Sequence, residues 1–161
     1  MIRAAAEDDL PAILAIYNDA VLNTTVIWNE TPADLANRRA WFAARSKAGF
    51  PVLVADEGGR VAGYGSFGEF RPFEGYRVTV EHSVYVAADA RRRGFGAALL
   101  AALIEEARTL DKRAMIGGID ATNAVSIALH EKFGFAEVGR LPGVGMKFGR
   151  PLDLVLMQKN L

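Results

Sequence analysis

The feature that most restricts the fold is a junction near the middle of the chain, where an apolar stretch meets a helix-forming one. Thr79–Val86 has the residue types of a strand, and residues 94–110 are rich in strong helix formers. Between the two lie three arginines and two glycines, namely Arg91, Arg92, Arg93, Gly94 and Gly96. Glycines let the backbone approach a ligand, while free amides at a helix start and arginine side chains bind phosphate oxygens. The junction therefore predicts an anion site.

Each part of this junction also has an ordinary interpretation. Three arginines are commonly a solvated surface, and two glycines before a helix can serve a turn alone. A Walker loop is excluded, because no Gly-Lys-Ser/Thr follows. A dinucleotide-binding loop stays open, since Gly94 and Gly96 could begin one and Asp120 stands near the place of a ribose-binding acid. Against it, Leu99 occupies the place of the third glycine, and antiparallel strands precede the junction.

Apolar periodicity predicts one domain over residues 1–161, without repeats or linkers. The predicted strands cover Ile2–Ala4, 52–55, 61–67, Thr79–Val86, 114–119, 135–140 and 152–157. The predicted helices cover 10–21, 32–49, 94–110 and 123–133, with Thr31 as the N-cap of the second helix. Because several strands cluster in the middle of the chain, the layout is α/β (α+β) and not a doubly wound sheet.

Charge and residue counts exclude several classes of protein. Lysine plus arginine equals aspartate plus glutamate at 19 each, so the chain as a whole does not attract nucleic acid or anionic lipid. The absence of cysteine excludes disulfides, thiolate metal ligands and a cysteine nucleophile. No apolar run is long enough to cross a bilayer, and the first residues do not have the pattern of a secretion signal. We therefore expect an unprocessed cytoplasmic protein with no nucleic-acid or membrane partner.

The junction resembles a motif of a known family. Arg91-x-x-Gly94-x-Gly96 is similar to the pyrophosphate loop of the GNAT superfamily of acetyltransferases, and residues 123–135 resemble the second helix with which that family contacts CoA. Residues 17–21, 71–73, 80–86 and 147–150 are similar to the subfamily that acetylates phosphinothricin and methionine sulfone or sulfoximine. The likeness covers nearly the whole chain. It implies the GNAT acyltransferase fold, a mixed and mostly antiparallel central sheet flanked by helices.

The resemblance also implies acetyl-CoA as co-substrate, with no metal. Backbone groups on a splayed strand would hold the pantetheine and polarise the thioester carbonyl; these belong to Val84, Tyr85 and Val86. The pyrophosphate would be held by the loop and first helical turn, which comprise Arg91, Arg92, Arg93, Gly94, Phe95, Gly96 and Ala97. Asn123 and Ser126 would contact the far part of CoA.

Two side chains are candidates for proton transfer, Glu81 and His130, and His82 lies next to the first. Glu81 could accept a proton from the attacking amine, although an acid on a strand is more often a surface residue or ion-pair partner. His82 should point to the opposite face of the strand, unless a bulge intervenes. His130 falls where many GNAT enzymes have a tyrosine that protonates the thiolate, and histidine can donate a proton near neutral pH. A single helical histidine is more often structural than catalytic.

Substrate recognition is expected in the loop that contains Arg71, Pro72 and Phe73. An arginine fork matches a carboxylate, and a neighbouring ring supplies an apolar wall, although such a loop can also be plain surface. By resemblance, the substrate site would further include Glu81, His82, Ser83, Trp28 and Lys147, with Thr25 nearby. Pro151 departs from the tryptophan that is usual in the subfamily, which weakens the likeness around residues 147–153.

The resemblance implies direct acetyl transfer to the α-amino group of a small amino-acid-like molecule, by a homodimeric enzyme. Two other functions stay open. One is acetylation of a protein or ribosomal N-terminus, which requires an open groove. The other is a noncatalytic module that binds CoA or a nucleotide without consuming it.

Overall fold

A seven-stranded sheet forms the centre of the computed structural model, which describes all 161 residues. The strands are β1 (Ile2–Ala4), β2 (Val52–Glu57), β3 (Arg60–Glu69), β4 (Thr79–Val86), β5 (Ala114–Asp120), β6 (Ala136–Lys147) and β7 (Arg150–Asn160). The helices are α1 (Leu10–Asn23), α2 (Leu35–Lys47), α3 (Phe95–Thr109) and α4 (Ala124–Lys132). The predicted order of strands and helices and the predicted fold class are thus confirmed.

The strands lie in the order β1-β2-β3-β4-β5-β7-β6, and only β4 and β5 run parallel. Their pairing is short, because it ends where Glu81 lies opposite Ile116. Beyond that point β4 remains paired with β3, and β5 remains paired with β7. The sheet therefore opens between two of its central strands, which is the splay that the sequence resemblance implies.

Apolar side chains cover both faces of the sheet. On one face, Leu99 and Leu103 of α3 pack against Phe67, Met115 and neighbouring core residues. On the other face, α1 and α2 pack over β2 and β3 in a second cluster that includes Leu10, Ile13, Val54 and Tyr64. Each such side chain contributes about 1.5–3 kcal/mol to the stability of the fold when it is fully buried. The two clusters hold the edges of the central opening in place.

Two predicted boundaries are wrong. The second helix begins after Asp34, whose side chain accepts a hydrogen bond of 2.8 Å from the amide of Asn37, so Asp34 and not Thr31 is the N-cap. Asn18 of α1 binds the backbone of Ala33 through both side-chain atoms, which keeps the preceding residues extended. Strand β6 continues to Lys147, past the predicted end at residue 140, because long pairing with β7 overrides the local effect of glycine and proline.

No helix is both long enough and apolar enough to cross a membrane. No group of three or more histidine, aspartate or glutamate side chains is arranged to hold a metal ion.

Candidate active site

The opening between β4 and β5 leads into a cleft of about 560 Å³. Its walls are β4, β5 and the first turns of α3 and α4, with Ile16 and Ala20 of α1 at one side. Most of the predicted cofactor residues line it, namely Val84, Tyr85, Val86, Arg91, Arg92, Gly94, Phe95, Gly96, Ala97, Asn123 and Ser126. Residues that are far apart in sequence thus meet where the sheet lacks strand pairing.

The predicted phosphate loop has backbone geometry that suits an anion. Gly94 caps α3 in the left-handed conformation at φ 88°, and Arg92 is also left-handed at φ 63°. The first helical hydrogen bond is donated by Ala98 to the carbonyl of Gly94, at 3.0 Å. The amides of the first turn have no partner within the helix, and the residues that bear them line the cleft. The loop therefore fits the diphosphate of CoA, because it offers several adjacent N–H donors.

The three arginines of the loop differ in their contacts. Arg91 pairs with Asp19 of α1 at 3.2 Å, and Arg93 pairs with Glu57 of β2. Arg93 does not line the cleft, and its guanidinium lies 5.3 Å from the centre of the Phe95 ring. Arg92 makes no ion pair and lines the cleft. Of the three, Arg92 is the guanidinium that is free to meet a phosphate directly, whereas Arg93 connects the loop to the sheet.

Helix α4 begins at the cleft. The side-chain oxygen of Asn123 caps the helix by accepting a hydrogen bond of 3.1 Å from the amide of Ser126. The side-chain Oδ1 atom of Asn123 is thus already occupied, and its side-chain Nδ2 group is left to contact a ligand. The hydroxyl of Ser126 lies 3.4 Å from Nδ1 of His130, one turn along the helix.

His130 meets His82 at the inner wall of the cleft. The two Nε2 atoms are 3.0 Å apart, and Nδ1 of His130 lies 2.7 Å from the carbonyl oxygen of Ser126. Both side chains are buried. Burial lowers the pKa of His130, and it lowers the pKa of His82 to about 3, with a smaller contribution from the nearby His130. Both rings are therefore neutral near pH 7.

Glu81 lies on the other face of β4, as strand alternation predicts. Its side chain is largely exposed, does not line the cleft, and extends toward Gly118 of β5. Partial loss of solvent raises the pKa of Glu81, although the positive charge of Arg71 opposes this shift. A carboxylate with a raised pKa is a better proton acceptor than an ordinary surface glutamate.

The predicted substrate loop lies close to this carboxylate. Arg71, Pro72 and Phe73 are all exposed, and the Arg71 guanidinium lies 5.3 Å from the centre of the Phe70 ring. Arg71 is near enough to Glu81 to affect its pKa. The two groups bear the charges that a zwitterionic amino acid requires, a cation for the carboxylate and an acid beside the amine.

Trp28 and Lys147 lie away from the cleft and support the connection between α1 and α2. The indole nitrogen of Trp28 donates to the carbonyl of Thr25 at 2.9 Å, and its ring lies against Gly145 of β6. The ammonium of Lys147 is fully buried and donates to the carbonyl of Ile27 at 2.5 Å, and burial lowers its pKa. Ser83, in contrast, lines the cleft from β4.

Sequence reasoning missed the contact between Thr25 and Asp120. Asp120 ends β5 in the wall of the cleft, and its carboxylate accepts hydrogen bonds from the hydroxyls of Thr25 and Thr122 and, at 2.9 Å, from the amide of Thr122. Burial raises the pKa of Asp120, but these hydrogen bonds together with the charge of Arg150 outweigh it, and the pKa lies below its usual value. The sequence pattern that could have indicated this contact is an acid at the end of a strand. That pattern favours a ribose contact over a link to another segment.

Arg45 was also missed, because helix periodicity assigns it no special place. Its guanidinium lies over Gly68 of β3, where a β-carbon would occupy the same space. Its Nε is buried without a hydrogen-bond partner, and burial lowers the pKa of the side chain. Arg45 thus lies on the same side of the sheet as Glu81, since Gly68 and Glu81 are paired in register.

Known proteins match this chain along its length. The family described as Acetyltransferase (GNAT) family matches residues 13–135. The chain is 60% identical over 161 residues to the L-methionine sulfoximine/L-methionine sulfone acetyltransferase of Pseudomonas paraeruginosa, covering 99% of this chain and 94% of that protein.

Solved structures match the fold equally closely. A protein described as a ribosomal-protein-alanine N-acetyltransferase from Brucella melitensis superposes with a TM-score of 0.99 at 60% identity, over 100% of this chain and 99% of that one. A protein from Salmonella typhimurium, solved with its cofactor acetyl-CoA, superposes with a TM-score of 0.98 at 51% identity, over 100% of this chain and 93% of that one.

Proposed function

The chain belongs to the GNAT family of acetyltransferases, and from that premise we propose that it acetylates the α-amino group of a small amino-acid-like molecule. The chain is an acetyl-CoA-dependent N-acetyltransferase. The proposed substrates are of the methionine sulfone, methionine sulfoximine or phosphinothricin type. The observation that carries the proposal is the placement of Arg71 and Glu81 together at one side of β4, opposite the cofactor cleft.

The proposed roles follow from what acetyl transfer requires. The thioester must be held and its carbonyl polarised, the attacking ammonium must lose a proton, and the departing thiolate must be stabilised. Acetyl-CoA supplies the activated acetyl group. Strand β4 has no pairing with β5 beyond Glu81. Backbone N–H groups that point toward β5 in this part, among Val84, Tyr85 and Val86, are therefore suited to polarise the thioester carbonyl.

We assign Glu81 as the proton acceptor and Arg71 as the carboxylate ligand. An ammonium between them loses its proton to Glu81 directly or through water, because the raised pKa brings the carboxylate closer to the working pH. His130 is the candidate acid on the thiolate side of the reaction. Pro72, Phe73 and Ser83 complete the proposed substrate site, and Trp28 and Lys147 support it by holding the α1–α2 connection.

Thiol release tests the proposal directly. The purified protein is mixed with acetyl-CoA and each of methionine sulfone, methionine sulfoximine, phosphinothricin and the unmodified amino acids. We expect saturable release of free CoA thiol with at least one of them, and no release with N-acetylated methionine sulfone, the matched control. No release with any free amino acid contradicts the proposal.

A second candidate function is favoured by one finding, the description of the Brucella melitensis structure as a ribosomal-protein-alanine N-acetyltransferase. A peptide with an N-terminal alanine added to the same assay separates the two. Preference for the peptide by kcat/KM indicates a protein substrate, whereas preference for a free amino acid supports our assignment. Binding of acetyl-CoA without thiol release from either class indicates a noncatalytic module.

We also propose that the protein is a cytoplasmic homodimer. Strand β6 is an edge of the sheet and exposes apolar side chains along 12 residues, among them Val138, Val144 and Met146. An exposed apolar edge strand is commonly covered by another chain. Light scattering during size exclusion is expected to give twice the mass of 17.4 kDa, and a monomer at micromolar concentration contradicts the dimer.

A further inference from the structure

Two histidines, the only two in the chain, form one buried pair between β4 and α4. The rings of His82 and His130 lie 5.0 Å apart with 19° between their planes, and their Nε2 atoms are 3.0 Å apart. Gly117 of β5 makes room for them, because a β-carbon there would lie 3.1 Å and 3.2 Å from the two Nε2 atoms. The pair therefore depends on a strand position without a side chain.

The hydrogen bonds determine where the protons lie. Nδ1 of His130 is 2.7 Å from the carbonyl oxygen of Ser126, and a carbonyl can only accept, so Nδ1 carries a proton. In neutral His130 the Nε2 atom is then bare and accepts. The proton between the two rings belongs to Nε2 of His82, which leaves Nδ1 of His82 bare. That Nδ1 atom is buried and has no hydrogen-bond partner.

The surroundings oppose a positive charge on the pair. An added proton would make both nitrogens of one ring donors, and every arrangement that keeps the two existing hydrogen bonds places an N–H at Nδ1 of His82, where there is no acceptor. The Phe135 ring lies edge-on to both histidines, at 5.7 Å and 5.0 Å. From β5 and α4 the nearest groups are Gly117 and the Ser126 backbone, neither of which is charged. The lowered pKa values of both histidines agree with an uncharged pair.

We propose that His82 is a positioning residue, which donates its Nε2–H to the bare Nε2 atom of His130 and so holds that ring in place and uncharged at the wall of the cofactor cleft. His130 is then a neutral ring in a fixed orientation, with its Nδ1–H donated to the Ser126 carbonyl, and not a charged acid. Its N–H points toward the Ser126 end of α4, where the Ser126 hydroxyl is 3.4 Å away. The structural part of this inference is independent of the proposed function, and only its kinetic part rests on it.

Nitrogen-15 NMR of the histidine rings tests the structural part, and two histidines make the spectrum simple to assign. In the wild-type protein at pH 7 we expect one ring protonated on Nδ1 and one on Nε2, and both rings should titrate below the ordinary histidine pKa of about 6.5. His82→Phe removes the donor at Nε2 of His130, while the Ser126 carbonyl still holds the proton on Nδ1. We therefore expect the Nε2 resonance of His130 to shift and its pKa to rise, because Nε2 can then take up a proton without an N–H that opposes it. His82→Gln supplies an amide donor at the place of Nε2 and should retain the wild-type Nε2 resonance and titration of His130.

Two NMR results overturn the proposal. One is a wild-type His130 that carries its proton on Nε2 or is charged at pH 7. The other is a His82→Phe protein in which the Nε2 resonance and the titration of His130 are those of the wild type. If His82→Phe does not fold, the wild-type spectrum and His82→Gln decide the matter alone.

Steady-state kinetics separate positioning from simple structural support. In His82→Phe we expect kcat at pH 7 to fall about fivefold, and kcat to become pH-dependent near the new pKa of His130. His82→Gln should restore kcat to within about twofold, because it keeps the hydrogen bond. Equal losses in both variants, with an unchanged pH profile, contradict the positioning role. Absence of turnover in the wild-type protein contradicts the proposed function instead and leaves the NMR result intact.

Discussion

Glu81 lies against Gly118 of the neighbouring strand, with its Oε1 atom 3.3 Å from the place that a β-carbon of Gly118 would occupy. On its other side, Gly68 is paired with Glu81 in register. The carboxylate therefore has a glycine on both adjacent strands, which leaves the space over the sheet free of their side chains. An acid in such a place can be reached by a small molecule and still loses part of its solvent, which raises its pKa.

Replacing Glu81 by glutamine should lower kcat by about 10²- to 10⁴-fold, because a proton acceptor is lost while the shape is kept. A base works when it is deprotonated, so activity in the wild-type enzyme falls as the pH drops through the pKa of Glu81, which is above that of an ordinary glutamate. This fall of activity at low pH should be absent in the variant. The pH profile of kcat/KM measures it, and exposed Glu106→Gln serves as control. Full turnover of Glu81→Gln across pH contradicts the assignment.

Removing the Arg71 guanidinium should weaken amino-acid binding specifically. In Arg71→Ala we expect KM for the amino acid to rise about 10- to 100-fold, as for the loss of a charge-assisted hydrogen bond, with KM for acetyl-CoA unchanged. Arg77→Ala, in the same connection between β3 and β4, controls for loss of charge. An unchanged KM for the amino acid in Arg71→Ala eliminates the carboxylate contact.

A side chain at Gly94 should weaken acetyl-CoA binding. The left-handed backbone at φ 88° costs other residues about 1–2 kcal/mol, so Gly94→Ala either keeps the loop under strain or lets it relax away from the phosphate. We expect a three- to tenfold higher Kd by calorimetry. Gly49→Ala introduces the same strain at φ 71° after α2, outside the cleft. A comparable loss of affinity in both variants indicates a general destabilisation.

Adding a β-carbon at Gly145 should displace Trp28, whose ring occupies that space. Overpacking of this kind costs about 1–3 kcal/mol of unfolding free energy, measurable by urea denaturation and by a change in tryptophan fluorescence. Gly139→Ala on the same strand is the control, because its β-carbon would meet Leu156 at an ordinary 3.9 Å. Equal stability of the two variants is incompatible with the packing of Trp28 on β6.

The contact of Thr25 with Asp120 should make stability depend on pH. The folded-state pKa of Asp120 is lowered, so its contribution is present above its unfolded pKa of about 3.9 and is lost as the pH falls through the folded value. Thr25→Val should reduce the free energy of unfolding by about 1.5–3 kcal/mol at pH 7. The difference from wild type should shrink below about pH 4. Thermal melts across pH measure it, and a difference that does not vary with pH contradicts the linkage.

Local residue patterns were enough to predict the order of the elements and the glycine loop that begins α3. Apolar periodicity and helix formers act within a few residues, and so does the preference of Gly94 for a left-handed cap. The sequence also led to Glu81, because a strand acid in a recognisable motif is a local signal. The end of β6 and the N-cap of α2 were mispredicted, since pairing with β7 and the contact of Asn18 with Ala33 are distant interactions.

The sequence by itself thus determined which segments form strands and helices, and it predicts an anion site at one strand-to-helix junction, since those properties depend on neighbouring residues. Only the tertiary structure decided that His82 meets His130, 48 positions away, and that Thr25 meets Asp120, 95 positions away. It also decided that Lys147 is bound to Ile27 and not free to meet a substrate. These contacts depend on how strands and helices pack against one another. No local pattern specifies the distance between two side chains on separate elements.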